Sequence, residues 1–475
     1  MPASSGSPSA RSFDLSSLPV VTESSQLPAL PGRAGTFITS PVVGRLCAIF
    51  IFSAAAAVSA ADTSARIVAA GRIAADTRDA EGETMGGIGS AIDTLPSGEI
   101  VMLSDRGAGD GTIDYRPRLQ CFVMTRSGSR LDLQPFRTLV LRDSNNRAFS
   151  GLFPDRPAAE PPQRRDGRMC LDPEGLAVAE DGRIFISEEY MPSVREFDAD
   201  GKFVRRFPTP AQFIPRGSAG PDFAADDEKV LVAGRAPNRG FEGLALLPGG
   251  RLATVLQSGP VQEGAREAGT TRLVVYDTDP EASPAIYLLP LADAAELDVS
   301  APAGKKIKAR HLVVSSLAAL PDGRLLALER DNFGADGSAD HPPARWKAVV
   351  LLDLRGSDDL TGRATLSGVA PVQRTVLFNL AALDTAAHGL PRAEMPAKWE
   401  GLAVAAIDGD RVRLLLSSDN DFLFPELSLS DGQAPRLFPF PRAVRPQDTW
   451  IFEIEAVLPP LSASRSATAA IGRTT

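Results

Sequence analysis

Glu242-Gly243-Leu244-Ala245-Leu246-Leu247-Pro248-Gly249-Gly250-Arg251-Leu252-Ala253-Thr254-Val255-Leu256-Gln257-Ser258 reads as one β-hairpin. An apolar strand runs into a Pro-Gly-Gly turn, and a second apolar strand ends on polar residues. The same opening recurs as Glu174-Gly175-Leu176-Ala177 and Glu400-Gly401-Leu402-Ala403, with looser copies at Gly89-Ser90-Ala91 and Ser315-Ser316-Leu317-Ala318. Each copy passes through a turn glycine (Gly98, Gly182, Gly250, Gly323, Gly409) to a second strand closed by acids or amides. Those closing residues are Asp105, Glu188-Glu189, Gln257, Glu329 with Asp331, and Asp419-Asn420-Asp421.

A third strand follows most hairpins, as at Ser193–Asp198, Arg272–Asp277, Ala348–Leu354 and Thr449–Ala456, and fourth strands are visible at Lys202–Phe207 and Arg374–Leu380. Four antiparallel strands per unit, repeated along the chain, predict an all-β fold and a single β-propeller. Five units are recognisable, and their long spacing leaves room for a sixth, degenerate one. The last unit lacks a fourth strand of its own. The orphan strand Ala65–Ala75 is expected to supply it and close the ring. The Pro-, Gly- and charge-rich stretches 142–168 and 211–238 read as loops, and the basic cluster Lys305-Lys306-x-Lys308 reads as solvated surface.

The chain has 475 residues and a formal net charge of −9, which argues against a nucleic-acid partner needing a basic face. Arg45, the apolar run Leu46–Val58 and the small-residue sequence Val58-Ser59-Ala60 have the order of an export signal, with cleavage expected near 60/61. At about 13 residues the run is short of the roughly 20 that span a bilayer, so no stable membrane anchor is expected. The domain reading is an N-terminal extension with signal peptide over 1–60, one propeller over 61–460 and a disordered tail over 461–475, in a monomer that is periplasmic or secreted. Cys121 and Cys170 remain in the mature chain and are read either as a disulfide in an oxidising compartment or as two buried thiols.

Hairpin geometry places the candidate chemistry. The start of a first strand and the end of its partner share one end of a unit, and the turn glycines lie at the other. Glu174, Glu242 and Glu400 therefore share a face with Asp105, Glu188, Glu189, Glu329, Asp331, Asp419 and Asp421, and the three Glu are expected at the mouth of a central channel. So many carboxylates stay ionised together only beside a cation or basic side chains. Calcium suits this donor set, since it takes six to eight hard oxygens in a tolerant geometry. Glu174, Glu242, Glu400, Asp105 and Asp419 are the candidate metal ligands; the alternative is that each Glu-Gly pair caps the backbone where a strand begins. Arg106 and Arg330 occupy equivalent positions after second strands and are candidates to hold an anionic substrate group, or else to pair with neighbouring carboxylates. With Glu242 or Glu188 as general base, the reading leans to a metal-dependent hydrolase acting on a small anionic or ester substrate. The competing reading is a non-catalytic, calcium-stabilised propeller that binds a ligand or partner on the same face. The G-x-S-x-G, Walker A and H-E-x-x-H motifs are absent from the sequence.

The combination of Gly89-Ser90-Ala91, Leu103-Ser104-Asp105-Arg106-Gly107, Asp172-Pro173-Glu174-Gly175-Leu176, Phe185-Ile186-Ser187-Glu188-Glu189, Asn238-Arg239-Gly240-Phe241-Glu242-Gly243-Leu244 and Trp399-Glu400-Gly401-Leu402 resembles the phytase-like family, described as having esterase-like activity of phytase. The resemblance runs from about Gly86 to Glu455 and implies an exported propeller acting on phosphate or carboxylic esters. More distantly, the Glu-Gly strand starts are similar to those of calcium-dependent lactonase and paraoxonase propellers. The D-x-D-D-P-A run of calcium-dependent propeller phytases is absent, so their paired-calcium phosphate site is not carried over.

Overall fold

The computed structural model describes residues 65–461 apart from 157, 280, 299–306, 337–340, 364, 424–425, 431–435 and 440–446. The expected export segment with its cleavage point, the Lys305-Lys306 pair and the tail beyond 461 lie outside the described residues. Among the described residues the fold is all-β, with one short α-helix, α1 (Ala294–Asp298), and a few 3-10 turns.

β1 (Arg66–Ile73) is followed by a first antiparallel unit of β2 (Ile88–Thr94), β3 (Ile100–Ser104), β4 (Arg118–Ser127) and β5 (Arg130–Val140). The second unit holds β6 (Pro173–Val178), β7 (Ile184–Glu188), β8 (Ser193–Phe197) and β9 (Phe203–Arg206). A small sheet of β10 (Arg216–Gly217), β11 (Gly220–Pro221) and β12 (Leu231–Ala233) leads to the third unit. That unit consists of β13 (Phe241–Leu246), β14 (Leu252–Leu256), β15 (Thr270–Tyr276) and β16 (Ala285–Pro290), and the fourth of β17 (Leu312–Ala319), β18 (Leu325–Asp331), β19 (Lys347–Asp353) and β20 (Gln373–Asn379). β21 (Trp399–Asp408) and β22 (Arg411–Ser418) pair next, the hairpin β23 (Glu426–Leu429) and β24 (Arg436–Pro439) intervenes, and β25 (Thr449–Val457) joins β22.

β1 completes this last unit. It runs antiparallel to β25 from Arg66↔Glu455 to Ile73↔Thr449, the place the sequence gives the orphan strand. A single parallel pair, Ala70↔Arg130, links β1 to β5, so the first and last units merge into one eight-stranded sheet.

Apolar layers fill the space between successive units. Leu103 and Leu119 pack with Leu176 and Ile186, Phe185 and Phe207 with Leu244 and Tyr276, and Val255 and Leu273 with Leu317 and Ala327. Leu328 and Val349 pack with Leu402 and Leu414, and Leu415 and Ile451 return to Ile92 and Met102 of the first unit. The packing order is a closed cycle, as in a propeller. It explains why second strands such as β3 and β7 are buried at every residue and carry near-continuous apolar sequence: both their faces are covered. Cys121 and Cys170 are both buried free thiols.

Candidate functional site: a carboxylate face at the first-strand starts

The Glu-Gly pairs begin their strands on a register shift. The ladder slips between Pro173 and Gly175, between Phe241 and Leu244, and between Trp399 and Gly401; the looser copies slip too, between Ile88 and Ala91 and between Val314 and Ser316. A bulge re-aims side chains at a strand end, which turns successive Glu toward one region. The glycines have a separate role. A Cβ on Gly175 would stand 2.4 Å from the Glu242 carbonyl oxygen, one on Gly243 2.2 Å from the Leu317 nitrogen, and one on Gly401 2.9 Å from Ile92. Each glycine lets the next unit's first strand approach, so the motif serves ring packing and charge placement at once.

The carboxylates gather in two groups. Oxygens of Asp172, Glu174 and Glu189 lie within 4.8 Å of one another, as do those of Asp105, Asp419 and Asp421. Glu242 adjoins the first group, where its charge and those of Asp172 and Glu189 bear on Glu174. Burial first, then neighbouring carboxylates, pushes the acids of Glu174, Glu242 and Asp419 well above the usual range. Burial does the same to Asp105 against the pull of Lys398, and it lifts Asp172 to about 6 although Arg106 opposes it. Glu400 is the exception: burial raises its acid, but Arg330 and Lys398 outweigh burial and hold it below the ordinary value.

The two groups differ in how their oxygens are satisfied. Asp419 accepts from the Asp421 N–H at 2.8 Å and the Ser90 hydroxyl at 3.3 Å, and Asp105 accepts from the Gly107 N–H at 2.7 Å. In the first group, Asp172 Oδ1, Glu189 Oε2 and Glu242 Oε2 are buried and have no hydrogen-bond partner. Their sister oxygens are anchored: Asp172 Oδ2 by Arg106, Glu189 Oε1 by the Gly240 N–H at 3.0 Å, and Glu242 Oε1 by the Gln257 amide. Orphaned oxygens on carboxylates fixed this close together call for a cation or for shared protons, and Asp172 and Glu174 lie close enough to share one; Glu188 Oε2 is orphaned in the same way outside the cluster.

Basic side chains surround these groups, and most are committed. Arg106 pairs with Asp172 and Asp110 and lies over the Phe153 ring at 5.2 Å. Arg330 pairs with Glu400 and donates to Asn332 Oδ1 at 2.7 Å. Lys398 pairs with Asp421. Lys347, fully buried, ties Asp331 Oδ1 at 2.7 Å to the Ala397 carbonyl at 2.6 Å and so fixes the chain leading into Lys398 and Glu400. Asp421 and Phe422 both hold φ of 51°, costly for residues with side chains, and Phe422 is packed edge-on against Tyr115 at 4.9 Å. A cleft of about 400 Å³ opens beside this strained segment, lined by Asp105, Asp110, Asn238, Lys398 and Asp421 among others.

Of the sequence-predicted residues, Glu174, Glu242, Glu400, Asp105 and Asp419 share this face, divided between the groups just described. Arg106 and Arg330 are there too, 5% and 3% exposed, each spent on a carboxylate. Glu188 is not brought to the cluster. It closes β7 with its side chain turned into its own unit, where Oε1 accepts from the Met191 N–H and from Arg195, both at 3.1 Å. The reason is strand alternation: Ser187, one residue earlier, reaches the Glu242 carbonyl, so Glu188 faces away and Glu189 faces back. Glu329 and Asp331 likewise turn aside, to Trp346 and Lys347. Sequence reasoning places Glu189 on the face without giving it a role, and it passes over Asp172, Arg239 and Lys398 as site residues. All but Lys398 stand in the quoted motifs, and Lys398 immediately precedes Trp399-Glu400.

Residues 83–422 match the phytase-like family, described as esterase-like activity of phytase. An uncharacterized secreted protein of Arthroderma benhamiae is 27% identical, the match covering 56% of this chain and 63% of the relative, so the chain spans less than two thirds of that protein. Among solved structures, a protein of unknown function from Dyadobacter fermentans aligns at 12% identity and TM-score 0.35, covering 83% of this chain and 99% of that one. Virginiamycin B lyase from Staphylococcus aureus aligns at 8% identity and TM-score 0.28, covering 81% and 98%. At those scores neither structure carries an argument about this chain. Among the described residues no helix is long and apolar enough to cross a membrane. The family match spans most of the ring and all of the quoted motifs, and the chain belongs to the phytase-like family.

Proposed function

We propose that the protein is an exported, five-bladed propeller hydrolase that uses a divalent cation, calcium, to cleave phosphate or carboxylic esters. The observation that carries this reading is the set of three buried, partnerless oxygens on Asp172, Glu189 and Glu242 beside Glu174. Asp172, Glu174 and Glu189, whose oxygens lie within 4.8 Å of one another, would hold the ion, a donor set of hard oxygens that fits calcium, with Glu242 beside it. Asp105, Asp419 and Glu400 already face Lys398 or Arg330 and contribute to the field around the ion. When bound, the ion would polarise an ester oxygen and acidify water. Glu242 is the base on this reading, because Gln257 fixes one of its oxygens and leaves the other free to take a proton. Glu188, held by Arg195 and Met191, orients its own unit. The secreted description of the related protein supports export.

One observation favours the second reading, a non-catalytic calcium-stabilised binding propeller: Arg106 and Arg330 are spent on protein carboxylates. An aryl phosphate and an aryl acetate, assayed in calcium and in chelator, separate the two. The expected result is calcium-dependent turnover that Glu242→Gln lowers at least ~100-fold, the scale of a lost general base, with melting behaviour intact. Calcium binding without turnover of either ester would establish the binding module instead.

A further inference from the structure

Arg239 differs from every other basic side chain around the carboxylates. It is 7% exposed, and among the described residues its guanidinium makes no hydrogen bond and no ion pair. Arg106, Arg330 and Lys398 each have a carboxylate partner, and the buried Arg235 is satisfied by the carbonyls of Tyr190, Phe223 and Ala236. Burial, then repulsion from Arg266 and Arg330, brings Arg239 down to about 10 against the smaller pull of Glu189 and Glu242, so it stays a cation at neutral pH. It follows Asn238, which lines the cleft with φ of 51°, and precedes Gly240, whose N–H anchors Glu189. Gly240 has no room for a side chain, since a Cβ there would stand 2.4 Å from the Glu189 Cα. The loop that fixes a cluster carboxylate therefore also fixes the backbone of Arg239.

Although the residue is nine-tenths buried, none of its guanidinium nitrogens is sealed from solvent, so donors that no protein group uses are open to an incoming ligand. Its planar fork matches an oxyanion in bidentate fashion. We propose that Arg239 is the anion-receiving residue of this face, taking two oxygens of a phosphate or carboxylate group presented beside the Glu189–Glu242 carboxylates. The inference rests on the reading of this face as the site for an anionic ester. It assigns the recognition role to Arg239 in place of Arg106 and Arg330, whose charge is consumed internally. Offsetting part of that carboxylate charge eases the approach of an oxyanion, so binding at Arg239 strengthens when calcium is present.

The test is calorimetric titration of the whole chain with inorganic phosphate and, separately, with acetate, in calcium and in chelator, for the parent, Arg239→Gln and Arg239→Lys. The expected result is saturable binding of one or both anions to the parent, weakened at least tenfold in Arg239→Gln and partly kept in Arg239→Lys, with calcium affinity changed by less than threefold. The anion that binds names the ester class. Equal anion affinity in parent and Arg239→Gln, or no binding of either anion to the parent, overturns the assignment. Loss of anion binding in Arg239→Gln when no variant binds calcium upholds Arg239 while rejecting the cation. If Arg239→Gln does not fold, Arg239→Lys decides, because undiminished anion affinity there means that bidentate recognition is absent.

Discussion

Asp172, Glu174 and Glu242 are acids that the fold makes reluctant to ionise, and that reluctance has a sign in stability. Asp172 moves from 3.8 to about 6, and Glu174 and Glu242 lie well above their ordinary value. The folded state then binds protons more tightly than the unfolded chain, so their contribution to stability is lost as pH rises from about 4 through 6 and beyond. In chelator, the urea midpoint of the parent should fall between pH 5 and pH 8 more steeply than that of Glu174→Gln, which lacks one of these acids. Parallel slopes would show that the cluster does not titrate as a unit. Calcium should reverse the trend, since its ligands must be deprotonated. At this scale the sequence was informative where residue type and local geometry coincide, as in the three Glu-Gly pairs. It was misleading by one position at Glu188, because strand alternation turns Ser187 and Glu189 toward the cluster and Glu188 away from it. For Arg106 and Arg330 it left substrate binding and pairing with carboxylates both open, because the carboxylates they pair with lie 66 and 70 residues away in the chain.

Strands and their junctions carry the next level. Gly243 sits where β13 meets β17, and a Cβ there would meet backbone atoms of Ser316 and Leu317 at 2.5 Å or less. Backbone cannot step aside as a flexible side chain does, so Gly243→Ala should cost about 1–3 kcal/mol or more, read as a lower urea midpoint at unchanged slope. A null effect would return the Glu-Gly motif to a purely local cap. β1 offers a second test. It closes the last unit over a ladder running from Ile73↔Thr449 to Arg66↔Glu455, and Arg72 and Arg66 reach Asp448 and Glu455 beyond the backbone bonds. Deleting 65–75 exposes the β25 edge and should give lower, broader melting with aggregation. An unchanged melting temperature would mean that the ring does not depend on this strand. The hairpins were legible because short apolar runs on either side of a turn glycine define them, and the closing strand because the last unit lacks a fourth strand of its own. The β23–β24 hairpin was not, although the Thr84 N–H donates to the Ser428 carbonyl at 2.7 Å and the Ser428 N–H to the Thr84 hydroxyl at 2.8 Å, tying the last unit's insertion to the loop after β1.

For the whole molecule, cyclic packing joins the ends of the chain's fold: layers between neighbouring units close on the first and last, and the carboxylate face exists only when all its contributing units are in place. Glu174, Glu242 and Glu400 come from three different units, with Asp105 and Asp419 from the two halves of the merged sheet. Protein recovered from its native host should begin near Ala61. N-terminal sequencing that finds Leu46–Val58 intact on the mature protein would reject export. The central claim is that the orphaned oxygens of Asp172, Glu189 and Glu242 mark a cation site. Calcium titration of chelator-stripped protein tests it most directly, comparing the parent with a Glu189→Gln/Glu242→Gln double variant and following both heat and melting temperature. The expected result is saturable binding to the parent with a melting temperature that rises with free calcium, and binding at least tenfold weaker in the double variant. No binding heat, together with identical melting of the parent in calcium and in chelator, would contradict it.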